Sequence, residues 1–217
     1  MALSKVDYNS MNVTPAASKA IKFNSSNNGL ETGDLGGNLV LISTQTASSS
    51  STISFTSGID STYKEYQIHF INVHPASLSS LKFNLSVDGG SNYNVAKTTT
   101  SFTTFNEESS NVTAEVGYRT GQDLAQGTGD QGITDDIGTD NDASGCGILH
   151  LFEPSSTTFV KHFLSNTQCY HIPNANQFSM NKYVAGYANT TSAVNAIIFR
   201  FGSGNIDSGT FKLYGVL

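Results

Sequence analysis

Five aspartates fall within fourteen residues of the stretch "GDQGITDDIGTDND": Asp130, Asp135, Asp136, Asp140 and Asp142, with no lysine or arginine among them. Calcium takes several oxygen ligands from flexible loops, so Asp135, Asp136, Asp140 and Asp142 form a candidate calcium set. The spacing fits no EF-hand: no D-x-D-x-D-G run leads to a glutamate at the twelfth position. The competing readings are a solvated loop tip and an exposed recognition loop over residues 121–145, because long loops on rigid scaffolds often carry binding.

A second set combines thiols and imidazoles. On strands, Cys146 and His150 share one face and Cys169 and His171 another, because side chains alternate with a period of two. Cys-x₃-His followed by Cys-x-His is no familiar zinc spacing. Two small buried thiols beside two unrelated histidines is the preferred reading, and a Cys146–Cys169 disulfide is the alternative.

Catalytic motifs are missing from the sequence: it holds no G-x-S-x-G, no P-loop and no H-E-x-x-H. Glu107 and Glu108 are adjacent, so on a strand they point to opposite faces and cannot flank one glycosidic bond. A non-enzymatic protein is expected. Aromatics suit a binder better. Tyr93, Phe102, Phe105, Tyr118 and Tyr170 lie in or beside expected turns, and tyrosine among asparagine and serine can engage a glycan or a protein surface. Tyr93, Phe105, Tyr118 and Tyr170 are the receptor-contact candidates.

Composition narrows the classes. Charged residues make up 13% of the chain, against roughly 25% in an average soluble domain, and Ser, Thr, Asn and Gly fill the gap. A net charge of −6 argues against nucleic acid, which demands a basic stripe. No apolar run approaches the roughly 20 residues of a membrane span. "MALSKVDYNSMNVTP" lacks the apolar core of a signal peptide, so folding in a cytoplasm is expected. Two cysteines are too few for a disulfide framework, and the absence of Trp removes the usual sugar platform.

The elements that must position these residues are strands. Residues 1–37 show no sustained period; Ala20–Phe23 is a single candidate strand, and the remainder reads as an extended arm held by partner chains. From Leu39 onward, alternation dominates. Ile53 and Phe55 share a face, as do Tyr66, Ile68 and Phe70, and likewise Leu81, Phe83, Leu85 and Val87 with Lys82, Asn84 and Ser86 opposite. Asp88-Gly89-Gly90 is a hairpin signal. "AVNAIIFRF" and "GTFKLYGV" read as a hairpin turned by Gly202, Gly204 and Gly209, with Phe211 and Leu213 toward the core. On this reading the chain ends inside its own sheet. About ten strands without a convincing helix predict an all-β protein: an antiparallel, jelly-roll-like β-sandwich over 38–217 behind the N-terminal arm.

Three stretches together resemble a known family: "GGNLVLISTQTASSSSTISFTSGIDSTYKEYQIHFINVHPAS", "LSVDGGSNYNV" and "TSAVNAIIFRFGSGNIDSGTFKLYGVL". They are similar to tail-fibre-like and other virion structural proteins of marine bacteriophages, cyanophages among them, and the leader 1–31 resembles their N-terminal segments. The region 106–145 matches loosely. The resemblance implies a virion-surface component made in a bacterial cytoplasm, usually a homotrimer. Its N-terminal arm would attach to other virion proteins, and its outer domain would meet a host glycan or protein. It supplies no catalytic residue, cofactor or metal, and it leaves open a capsid decoration protein with no receptor role. A carbohydrate-binding module or depolymerase fragment ranks last, for want of Trp and paired carboxylates.

Overall fold

The computed structural model describes residues 19–26, 28–34, 37–109, 114–172 and 176–217. Residues 1–18, 27, 35 and 36 of the expected arm 1–37 therefore lie outside the described residues. Contacts divide the chain into Met1–Leu39 and Val40–Leu217. In the first unit, Lys19–Phe23 (β1) pairs antiparallel with Leu30–Asp34 (β2). The candidate strand at Ala20–Phe23 thus has a partner that its own sequence did not signal. Asn24 closes the turn: its N–H donates to Gly29 O at 2.9 Å, and its side chain exchanges hydrogen bonds with Asn28.

From the unit boundary onward the strands are Leu39–Ser50 (β3), Ile53–Phe55 (β4), Glu65–Pro75 (β5), Leu81–Ser86 (β6), Lys97–Glu107 (β7), Ala114–Tyr118 (β8), Gln131–Gly132 (β9), Gly145–Phe152 (β10), Lys161–His171 (β11), Phe178–Ala188 (β12), Ala196–Phe201 (β13) and Ile206–Val216 (β14). No helix forms among the described residues. One sheet has eight strands in the order β3-β14-β5-β10-β11-β12-β7-β8, and the other has four, β4-β13-β6-β9.

Eight of these strands, taken in chain order as β3, β4, β5, β6, β9, β10, β13 and β14, neighbour each other first with last, second with seventh, third with sixth and fourth with fifth. That nesting is what results when one long antiparallel ribbon is wrapped around a core, the jelly-roll arrangement of two Greek keys. Two inserted pairs widen one sheet: β11 and β12 continue from β10, and β7 and β8 add beyond β12. The fold is an antiparallel all-β sandwich of jelly-roll type, as the alternation predicts.

The two layers meet through aromatic rings. Phe199 of β13 lies 5.4 Å from Phe211 of β14 and 6.4 Å from Phe70 of β5, and Phe83 of β6 meets Phe163 of β11 edge-on at 5.1 Å. All five rings are fully buried, at roughly 1.5–3 kcal/mol of hydrophobic stabilisation each. The predicted faces hold for Tyr66, Ile68 and Phe70 and for Leu81, Phe83 and Leu85, whereas Val87 lies past the end of β6 and is exposed. In β5 the alternation breaks at Ile71 and Asn72, both exposed, because Asn72 adopts φ 51° and bulges the strand. Gly209 of the neighbouring β14 accommodates the bulge: a Cβ there would sit 2.8 Å from Val73 Cα, and its φ is +135°.

Two expected hairpins are absent. The β13 and β14 strands belong to different sheets, so "FGSGNIDSG" crosses between layers, and its flanking rings Phe199 and Phe211 pack across the core. The turn after β6 likewise hands the chain to β7 in the other sheet; Asp88 accepts hydrogen bonds there from Ser86 and Asn92, which hold its carboxyl down to about 2. β14 does lie inside a sheet, between β3 and β5, with Phe211 and Leu213 inward. Deletion of residues 209–217 is therefore expected to give insoluble protein, and a soluble truncation with a sharp thermal transition would contradict this topology. Phe199→Ala is expected to cost about 3–5 kcal/mol in urea unfolding.

Candidate functional site

The inserted strands differ from the jelly-roll core in what they turn inward. On β7 the inward residues are Lys97, Thr99, Ser101 and Thr103; on β11 Lys161, Ser165 and Thr167; on β12 Lys182 beside Met180 and Val184. Buried polar groups must find partners or cost several kcal/mol each. The segment 119–137 supplies partners for Thr99, Thr103, Thr167 and Lys182. It first extends the free edge of β7, where Thr99 N–H donates to Leu124 O and Lys97 and Gly127 exchange two backbone bonds. It then crosses to β6 as β9 and buries Ile133 and Ile137 completely.

Two of the aspartates expected on an exposed acidic loop, Asp130 and Asp135, are thereby drawn inward, while Asp136, Asp140 and Asp142 are exposed. Asp130 holds Arg200 with two bonds, 2.6 and 2.8 Å, and accepts from Asn84. Burial pushes its carboxyl up, but these partners bring it below its ordinary value. Asp135 is buried, accepting from Gln122 at 3.0 Å and facing Lys182 at 3.7 Å. Asp136 lies beside it on the lining of one polar depression, but Asp140 and Asp142 are not gathered with the two: Ile137 and Gly138, tied to Ser79 and Tyr170, intervene. The four aspartates of the calcium set do not converge. Among the described residues no three acidic, His or Cys side chains are placed to hold a metal.

Cys146 and Cys169 are free and point to opposite faces of the sheet: Cys169 sits in the core, its thiol pushed up to about 12 by burial, while Cys146 exchanges contacts with Asn72. His150 binds Glu65 and His171 binds Asp136 O, so no zinc set forms from these four.

The outer face of the eight-stranded sheet exposes large apolar side chains among the described residues. Register places Tyr118 opposite Phe102, Phe102 opposite Tyr183, Tyr183 opposite Asn166, Asn166 opposite Ile148 and Ile148 opposite His69, one row across six strands. Phe102 and Tyr183 stack at 4.9 Å with ring planes 13° apart. Tyr118, Phe102 and Tyr183 are 54%, 42% and 38% exposed, too open to be core. Tyr118 donates to Asp123, which raises the phenol and lowers the carboxyl. Shallow depressions flank this ridge. One, about 400 Å³, is lined by Thr104, Asn106, Ala114, Val116, Ser179 and Asn181; the other, about 410 Å³, by Thr98, Thr100, Phe152, His162, Leu164 and Tyr187.

Further along the sheet, Glu65 accepts from His150 at 2.7 Å and from Gln67 at 3.0 Å; burial works against its charge, yet these bonds leave its carboxyl below the usual range. His69 packs on Tyr214 at 4.8 Å, and burial, then the nearby His150 and Lys212 charges, push its imidazole down.

Of the five aromatics singled out from the sequence, Tyr118 is on this ridge, and Phe102 is mid-strand rather than beside a turn. Tyr93 is half-buried beside the Gly89-Gly90 turn. Phe105 faces the interior side of β7, edge-on to Phe178 and under Arg119, and Tyr170 is half-buried against the core. Tyr183 is the ring that sequence reasoning missed, though the alternation of "NKYVAGY" with Val184 inward places it outward. No family model, curated protein or solved structure matches the chain.

The inward lysines have a measurable consequence. Lys97 Nζ donates to Asn84 Oδ1 at 2.6 Å and to Val95 O at 2.8 Å, and burial, opposed by Asp130, pushes it down to about 8 from 10.5. Between these values the unfolded chain binds more protons than the native one, so stability rises with pH. From pH 8 to 9 the rise is about 1 kcal/mol. It should appear in urea titrations of the wild type and be smaller by about that amount in Lys97→Met, where Lys161 and Lys182, driven the same way, still contribute. Above pH 9 the buried Cys169 thiol works in the opposite direction, because the unfolded chain then loses that proton first.

Proposed function

We propose that the chain is a non-enzymatic structural subunit of a bacteriophage virion. It is a short fibre or appendage protein, attached to the particle through residues 1–37 and presenting the jelly-roll domain for host-surface attachment as a homotrimer. The virion assignment rests on the resemblance of the three quoted stretches and the leader. The attachment role rests on one observation: the inserted strands add a row of exposed aromatics, Tyr118, Phe102 and Tyr183, among threonine and asparagine side chains. Such a row costs solubility and adds little to the core, which makes sense where it binds something. Rigid aromatics edged by hydroxyl and amide groups engage protein or glycan surfaces at low entropic cost.

The interior titratable groups fit the same reading. Lys97, Lys161, Lys182 and Asp130 are engaged in tying strands to connections, a structural use.

The test combines placement and binding. Immunogold labelling of intact virions with antibody to residues 38–217 should decorate the tail or neck; even labelling of the head would make this a capsid decoration protein instead. Labelled recombinant protein should bind host cells, and the combined variant Phe102→Ala, Tyr118→Ala, Tyr183→Ala should lose that binding at least tenfold. Its unfolding free energy should fall by no more than about 2 kcal/mol, because the three side chains are exposed. Undiminished binding by the variant would remove the attachment role from this face.

A further inference from the structure

Lys97 of β7 and Asn84 of β6 meet inside the core, 0% and 1% exposed. The two strands belong to opposite sheets, so the contact spans both layers. Every polar atom of the Asn84 carboxamide is engaged. Oδ1 accepts from Lys97 Nζ at 2.6 Å and from Leu85 N–H at 2.9 Å, and Nδ2 donates to Asp130 Oδ1 and Thr128 O, each at 3.0 Å. Donors on one side and acceptors on the other fix which way the amide faces. Asp130 is held in turn by Arg200, through Nε at 2.6 Å and Nη2 at 2.8 Å.

An amine beside an amide carbon is a nucleophile beside an electrophile. With a C=O bond of about 1.23 Å, Nζ lies no more than about 3.8 Å from Cγ, close to the reactive separation of about 3–3.5 Å. Burial drives Lys97 down to about 8. At pH 7 about a tenth of it is therefore the neutral amine. In that form two hydrogens stay on Asn84 Oδ1 and Val95 O, and the lone pair is released. Leu85 N–H is already bonded to the oxygen on which negative charge develops, as an oxyanion donor is. The Asp130 carboxylate sits on the nitrogen that has to leave.

We propose that Lys97 and Asn84 join spontaneously in an isopeptide bond, with Asp130 as the catalytic proton carrier. Lys97 Nζ, as the neutral amine, attacks Asn84 Cγ; the Nζ–Cγ bond forms as the carbonyl π pair moves onto Oδ1. Asp130 takes a proton from Nζ and delivers it to Nδ2. The C=O bond then re-forms, the Cγ–Nδ2 bond breaks, and Nδ2 departs as ammonia. Amine and carboxamide give a secondary amide and ammonia, with no oxidant or cofactor in the balance. Arg200 is a positioning residue that aims Asp130 at Nδ2. Lys182 approaches Gln122 in a similar way, 2.6 Å from Oε1, with Gln122 Nε2 on Asp135 at 3.0 Å. Gln122 is open to water, however, and Lys182 faces Asp135 directly at 3.7 Å, which favours its charged form. The bond therefore belongs to Lys97. It ties the two sheets covalently, in a chain whose two cysteines are free. It depends on neither the virion reading nor the aromatic ridge, and the pH dependence given above for Lys97 is that of the chain before the bond forms.

Intact mass spectrometry of the full chain, refolded and then held at pH 9 where Lys97 is mostly neutral, tests it. The chain should lose the mass of one ammonia, and proteolysis should yield a branched peptide joining Lys97 to Asn84. Lys97→Met should keep its full mass. Asp130→Asn, with a thermal melt recorded to show the fold intact, should lose ammonia at least tenfold more slowly; reaction at the wild-type rate overturns the part given to Asp130. Full mass in a wild type whose melt shows it folded overturns the whole proposal. So does a branch that maps to Lys182 and Gln122. Ammonia loss that persists in Lys97→Met overturns it as well, because it comes from an asparagine cyclising on its own backbone, as Asn28 before Gly29 can.

Discussion

Three lysines turned inward on inserted strands set the constraint on which the rest of the domain depends. Lys97, Lys161 and Lys182 sit on faces that alternation reserves for apolar side chains, and each must be met by oxygens inside the fold. Lys97 reaches Asn84 and Val95 O, Lys161 reaches Phe159 O and Thr190 O, and Lys182 reaches Gln122, Thr134 O and Asp135. Every one of these partners lies outside the strand that carries the lysine. The ammonium groups therefore fasten connections to the sheet, where an apolar interior would only have asked for contact. The penalty is visible in the direction in which burial drives all three lysines, toward the neutral form.

That fastening explains how a jelly roll supports an eight-stranded sheet. A wrapped ribbon of eight strands gives four per layer, and four further strands widen one layer, β11 among them still meeting the smaller one through Phe163 on Phe83. The crossing segment 119–137 closes the gap, pairing with β7 at one end and β6 at the other, with Gln131 joining Thr99 to Gln122 in the middle. A polar lining suits a cover made of loop, because loop backbone brings carbonyls and N–H groups that need partners too. The apolar rings of Phe70, Phe83, Phe163, Phe199 and Phe211 stay together in the half where strand faces strand.

Legibility followed the same division. In β4, β5, β6 and β14 a period of two reports which side is buried, and the inward residues Phe55, Ile68, Phe83 and Phe211 could be named from it. Periodicity says nothing about which strand lies alongside, so β13 and β14, joined by glycines, read as a hairpin although they belong to opposite layers. The acidic segment misled for a related reason. Its aspartates outnumber its apolar residues, and only pairing with Arg200 and Lys182, 70 and 47 positions away, makes Asp130 and Asp135 interior groups. The ridge was half legible: Tyr118 drew notice as an aromatic, but its row with Phe102 and Tyr183 exists only through register between β8, β7 and β12.

The inserted strands thus have two faces under opposite demands, and the balance between them bears on function. Inside, nearly every polar atom is bound, with Asp135 Oδ2 and the hydroxyls of Ser101 and Ser165 as exceptions among the described residues. Outside, aromatic area stays open that folding would have gained by covering. Stability alone would favour the reverse, apolar inside and polar outside. On the attachment reading proposed above, a sheet that holds lysines inward and rings outward would be shaped for what touches it, with the lysine fastenings keeping those rings in one row for a partner to meet.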